Sequence, residues 1–190
     1  MCCIRPSGPS KSFIFIPMLA LAGLLSGCSD QGTPTTLEME PRFDVAMQEI
    51  GQAVKRTFTA ALSGANEVPA NDSNARGQAV FQVSQDGTEV SYRLMVANLH
   101  NVIQAHIHMG EAGVNGPVVA WLYPSGPPAQ PIEGRSSGVL ATGVITEDNL
   151  VGPLAGQPLS ALLDRMRDAS VYVNVHTEQF PPGEIRGQIR

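Results

Sequence analysis

From Thr57 onward apolar residues recur at every second position, and this period of two confines that part of the chain to strands with one buried face. Residues 58–62 (FTAAL) form a first strand closed by Ser63-Gly64. Residues 79–83 and 90–96 alternate on either side of Asp86-Gly87, a pair suited to a tight hairpin because glycine tolerates positive φ. Val90, Tyr92, Leu94 and Val96 share one face and are predicted to enter the core. Further strands are predicted at 102–109, 118–123, 139–145, 171–176 and 184–190, with 118–123 (VVAWLY) apolar enough for a central position. Residues 124–138 are rich in Pro, Gly and Ser and read as a surface loop. One helix is expected at 159–169, where Leu159, Leu162, Leu163 and Met166 form a stripe. Roughly eight short strands with turns between them give an all-β fold, a single antiparallel β-sandwich or flattened, Greek-key-like barrel with one short helix. Arg76-Gly77-Gln78 and Arg186-Gly187-Gln188 echo each other and are read as similarly placed strand starts.

Residues 1–27 have a different organisation. Arg5 and Lys11 precede an apolar stretch at 13–25 that is short for a bilayer span and carries Pro17. Leu25-Ser26-Gly27-Cys28 then reads as a lipobox, in which the Cys28 thiol receives diacylglycerol and the chain is cut before it. The alternative is an ordinary signal peptide with an incidental cysteine. Several acyl chains on one residue make a stable anchor. Ser29 follows Cys28, so an aspartate retention signal is absent there and the outer membrane is the expected destination in a Gram-negative cell, on its periplasmic or its surface face. Residues 28–56 are the lipidated cysteine and a polar tether. Within it Phe43, Met47, Ile50 and Val54 allow a short helix at 42–55, which Gly51 weakens.

Composition limits function and the means of stabilisation. Residues 28–190 hold ten of the twelve Lys and Arg and all seventeen acids, a net charge of −7, with no basic run. Nucleic acid is therefore excluded as a partner. The cysteines are Cys2, Cys3 and Cys28, so the processed chain has no internal disulfide and depends on its core.

His106-Ile107-His108 is the sharpest chemical feature. Residues i and i+2 on a strand face the same way, so both imidazoles project together, and Tyr172, Asn174 and His176 share a face in the same manner. If the two strands are neighbours, His106, His108 and His176 converge as ligands for copper or zinc. The other reading has these histidines bonding loop carbonyls and pinning turns. His100 is read as a loop residue. Glu184 and Arg186 lie on one strand face. Either Glu184 serves a metal or orients a histidine, or the two form an ion pair closing the sheet. The glycines of 110–117 (GEAGVNGP) are expected to permit close backbone approach beside the histidine pair. Gly134-Arg135-Ser136-Ser137-Gly138 matches a serine-nucleophile pattern, but it precedes a strand where that chemistry needs a strand-to-helix turn. No catalytic constellation remains, which favours a non-enzyme.

Three ordered motifs carry a family resemblance: residues 58–69 (FTAALSGANEVP), residues 105–108 (AHIH) with 113–119 (GVNGPVV), and residues 172–177 (YVNVHT) with 182–189 (PGEIRGQI). They resemble the opening, middle and close of the CHRD domain, named for repeats in the extracellular growth-factor-binding protein chordin, and place that domain at 57–190. The resemblance implies an extracytoplasmic β domain with a binding role. It does not transfer the growth factor to a lipoprotein, because a shared fold does not carry its ligand. A fainter likeness, to Cu/Zn superoxide dismutase, rests on the His-x-His strand near a glycine-rich loop. Four histidines are too few for that enzyme's two-metal centre, and a single mononuclear site remains open. The expected function is a membrane-anchored binding or structural module for an unidentified protein or polysaccharide. The alternative is a mononuclear copper or zinc protein.

Overall fold

A computed structural model describes residues 55–190. The signal peptide, the Cys28 lipidation site and the helix expected within the tether fall on residues outside the described ones, apart from Lys55 and Arg56 at the tether's end.

Among the described residues, seven antiparallel strands and one α-helix follow the sequence pattern closely, with three short 3-10 turns between them. They are β1 (Thr57–Ser63), β2 (Arg76–Val83), β3 (Val90–Met109), β4 (Val118–Tyr123), β5 (Ile132–Ile145), α1 (Leu159–Arg167), β6 (Val171–Thr177) and β7 (Ile185–Gln188). In β1, Phe58, Ala60 and Leu62 are buried while Thr57, Thr59 and Ala61 face solvent. The β2–β3 hairpin turns at Asp86-Gly87, with Gly87 at φ 75° as the pair requires. Val90, Tyr92, Leu94 and Val96 enter the core, and α1 buries its stripe of Leu159, Leu162, Leu163 and Met166.

The long strand β3 closes the barrel. Its first half pairs with β2 and its second half with β6, while β5 runs along its opposite edge from Val90 to Val102. Because β2, β1, β7 and β6 are joined in that order, the circuit returns to the same edge of β3. Strands β4 and β5 lie outside the circuit. A strand can serve two neighbours in succession only by bending, and β3 bends where Asn98 and Asn101 adopt positive φ of 63° and 50°. Asparagine tolerates that conformation through its short polar side chain. Here Asn101 accepts from the Gly134 N–H at 2.8 Å and donates to Glu178 at 2.8 Å, tying the bend to its surroundings.

Three expectations change. The segments expected as separate strands at 90–96 and 102–109 are one continuous strand. His100 belongs to it, opposite Arg135, and is not a loop residue. The strand expected at 139–145 begins at Ile132, so half of the anticipated 124–138 loop is paired to β3 through a series of bulges. Turn-forming composition hid this pairing, because it is imposed by partners 30 to 42 residues away and not by local preference.

The two Arg-Gly-Gln echoes both mark tight crossings near strand starts. A Cβ on Gly77 would meet Ile185 Cδ1 and Met95 O at 3.0 and 3.1 Å. One on Gly187 would overlap the Ala61 carbonyl, where β1 and β7 seal the barrel. Gly187→Ala is therefore expected to lower stability by about 1–3 kcal/mol through forced overpacking. A lowered urea midpoint with an unchanged m-value would bear this out, and an unchanged midpoint would contradict it.

Candidate metal centre

Strands β7 and β6 and the 105–108 stretch of β3 are buried on both faces. Val171, Val173, Val175, Ile185, Ala105 and Ile107 fill the barrel. Tyr172, Asn174, His176, Arg186, His106 and His108 point the other way, yet they too are buried, and residues from the 64–75, 110–117 and 177–184 segments bond over them. The result is a polar layer outside the barrel wall, set in rows by the strand register: His106 beside Asn174 beside Arg186, and His108 beside Tyr172 beside Gln188.

His106, His108 and His176 meet within this layer, as their spacing predicts. One ring nitrogen from each lies within 4.8 Å of the others. Ring centroids are 5.5 Å apart for His106–His108, 5.1 Å for His106–His176 and 5.8 Å for His108–His176. His108 Nδ1 sits 2.9 Å from the Gly116 carbonyl and His176 Nδ1 2.9 Å from the Pro181 carbonyl. A carbonyl only accepts, so each Nδ1 carries the proton and each Nε2 keeps its lone pair. His106 Nδ1 lies 3.3 Å from His176 Nε2. His106 Nε2 and His108 Nε2 are buried without a protein partner. Burial pushes the His106 imidazolium down to about 3, aided by the other two histidines, and the His108 imidazolium down to about 4. The pKa of His176 is lowered for the same reason. The cluster is neutral at pH 7, the form that ligates a metal.

Glycine at 116 makes this possible, since a Cβ there would overlap the Met109 carbonyl at the end of β3. The 110–117 loop folds back onto its own strand as expected, and Gly116 thereby delivers its carbonyl to His108 and its N–H to the Tyr172 hydroxyl at 3.1 Å. Tyr172 stacks on His108 at 5.0 Å with 13° between planes, and the sole tryptophan, Trp121, meets His106 edge-on at 4.3 Å.

Glu184 and Arg186 do not pair with each other. Glu184 accepts from Thr177 Oγ1 at 2.6 Å and Ser73 Oγ at 2.7 Å, so it binds a covering loop to β6 and touches no histidine. Arg186 donates to Asn115 Oδ1 and to the carbonyls of Glu111 and Val114 at 3.0, 3.0 and 2.7 Å, and its guanidinium lies 3.4 Å over the Tyr172 ring. The two side chains, two residues apart, meet separate partners in preference to each other.

Glu67 was not anticipated. It is buried beneath an open cleft of about 540 Å³ lined by Thr59, Asn66, Ala112, Arg186 and Gln188. Asn174 Nδ2 approaches its Oε2 at 3.5 Å, while Glu67 Oε1 and Asn174 Oδ1 lack partners. Burial raises Glu67 to about 7 against the pull of Arg186. Its sequence signal was confined to the opening motif, where an acid in a loop gives no hint of burial.

A family model, the CHRD domain, matches residues 58–189. No curated protein and no solved structure matches the chain.

The pKa directions fix a pH response for metal-free protein. His106 and His108 are lowered from 6.5, so their contribution is complete above pH 6.5 and is lost as the pH falls through 4 toward 3. Glu67 is raised from 4.5, so its contribution is complete below pH 4.5 and is lost as the pH climbs through 7. In urea unfolding of chelator-treated protein, His106→Ala/His108→Ala should make the acid-side decline shallower, and Glu67→Gln should remove the loss between pH 4.5 and 7. An acid limb as steep in the double variant as in the parent would contradict this assignment.

Proposed function

The chain belongs to the CHRD-domain family, and on that premise we propose that it is a lipid-tethered envelope module holding one transition-metal ion on His106, His108 and His176. One observation carries the reading: three buried imidazoles converge while two of them have their Nδ1–H groups engaged by backbone carbonyls. That is how metal-binding histidines are fixed in tautomer and orientation. The spacing agrees. Two nitrogens bonded to one ion at about 2.0–2.1 Å and a tetrahedral angle lie roughly 3.3–3.4 Å apart, and His106 Nδ1 and His176 Nε2 are 3.3 Å apart.

Imidazole donors suit copper and zinc. Three protein ligands leave a further position for a small exogenous donor. The chain's part is to hold the rings, keep them neutral and exclude bulk water. A module that only bound a protein or polysaccharide would leave the buried, unpartnered His108 Nε2 without a role. The tether supports the location: Leu25-Ser26-Gly27-Cys28 is the lipidation signal, and Cys28 would fix the domain to the envelope.

Two experiments test this. Full-length chain carrying Cys2→Ser, Cys3→Ser and Cys28→Ser is expected to take up one equivalent of Cu²⁺ or Zn²⁺, with Cu²⁺ quenching the fluorescence of Trp121 beside His106. His106→Ala/His108→Ala should abolish both. If the parent binds neither ion and the double variant merely melts at lower temperature, the histidines serve to pin the 110–117 loop. Separately, Cys28→Ser should lose radiolabelled palmitate and leave the membrane fraction; retention of both would refute the tether.

A further inference from the structure

The charge around the histidines bears on which ion they hold, and this step rests on the metal reading above. Imidazoles ligate as neutral donors, so an ion held by three of them keeps its full charge. Among the described residues no carboxylate joins the donor group. Both oxygens of Glu184 are engaged by Thr177 and Ser73. Glu67 reaches the layer through Asn174 and not through a histidine.

The fixed charge that does reach the cluster is positive. The Arg186 guanidinium lies 3.4 Å over Tyr172, which is stacked at 5.0 Å on His108, and its field acts on His108 directly. It cannot swing away, because Asn115 and the carbonyls of Glu111 and Val114 hold it.

Two costs then depend on ionic charge. Desolvation of a buried ion grows with the square of its charge, so a dication in one cavity costs about four times as much as a monocation. Repulsion from Arg186 doubles between the two. Of the metals that favour imidazole, copper has a stable monovalent state, and Cu⁺ is satisfied by three donors. We propose that the His106–His108–His176 cluster is a cuprous site, whose neutral donors and adjoining Arg186 guanidinium select Cu⁺ over Cu²⁺ and Zn²⁺.

The test measures three affinities on the full-length Cys2→Ser/Cys3→Ser/Cys28→Ser chain: Cu⁺ anaerobically against a chromogenic cuprous chelator, and Cu²⁺ and Zn²⁺ against chelators of known strength. Cu⁺ is expected to bind with one-to-one stoichiometry and at least ~100-fold more tightly than either dication. Arg186→Gln should narrow that ratio about twentyfold, the effect of one unit charge at roughly 8–10 Å in a medium of effective dielectric about 20. Equal or tighter binding of Zn²⁺ or Cu²⁺ in the parent would overturn the cuprous assignment and leave the histidine site standing. Absence of all three ions would overturn the site itself. A folded Arg186→Gln protein with an unchanged ratio would overturn the role of the guanidinium, and if that variant fails to fold, the parent ratio alone decides.

Discussion

A fully buried guanidinium must have its hydrogen bonds met inside the protein, and the polar layer depends on how Arg186 meets that demand. Its acceptors are all in the 110–117 loop, and its face rests on Tyr172. Holding that loop places Gly116, whose carbonyl sets the tautomer of His108 and whose N–H meets the Tyr172 hydroxyl. One buried charge thus fixes a loop, and the loop fixes a ring nitrogen.

The barrel supplies the platform. Period-two strands normally turn one face to water, but β6 has all seven of its residues buried. Valines fill the barrel on one side, and the covering loops close the other. The bend in β3 at Asn98 and Asn101 lets one strand carry both the barrel seam and the His106/His108 pair. Register then sets His106 beside Asn174 and Gln104 beside His176, so the third histidine arrives diagonally from the neighbouring strand. Rings on a rigid sheet hold their spacing better than rings on loops would.

Much of this was legible in the sequence because it followed from strand geometry alone. Same-face projection of His106 with His108 and of Tyr172, Asn174 and His176 needs only alternation, and their convergence needs only that β3 and β6 pair. The helix stripe from Leu159 to Met166 and the Asp86-Gly87 turn are equally local. What stayed hidden was set by distant partners. Ile132 to Gly138 looks like a loop until β3 pairs with it. His100 looks like a loop residue until the bend at Asn98 and Asn101 is seen as a bulge within one strand. Glu184 and Arg186 look like an ion pair until Ser73, Thr177, Asn115 and the 111–114 carbonyls compete for them. Glu67 is distinguished by burial under a loop, a property no local pattern encodes.

The central claim is that three imidazoles, and nothing else from the chain, hold a metal ion. X-ray absorption on the copper-loaded Cys2→Ser/Cys3→Ser/Cys28→Ser chain tests it most directly. The expected result is a nitrogen shell at about 2.0 Å with outer-shell scattering from three imidazole rings, reduced when His106 and His108 are replaced. A spectrum dominated by oxygen neighbours, with fewer than three imidazoles, would contradict it.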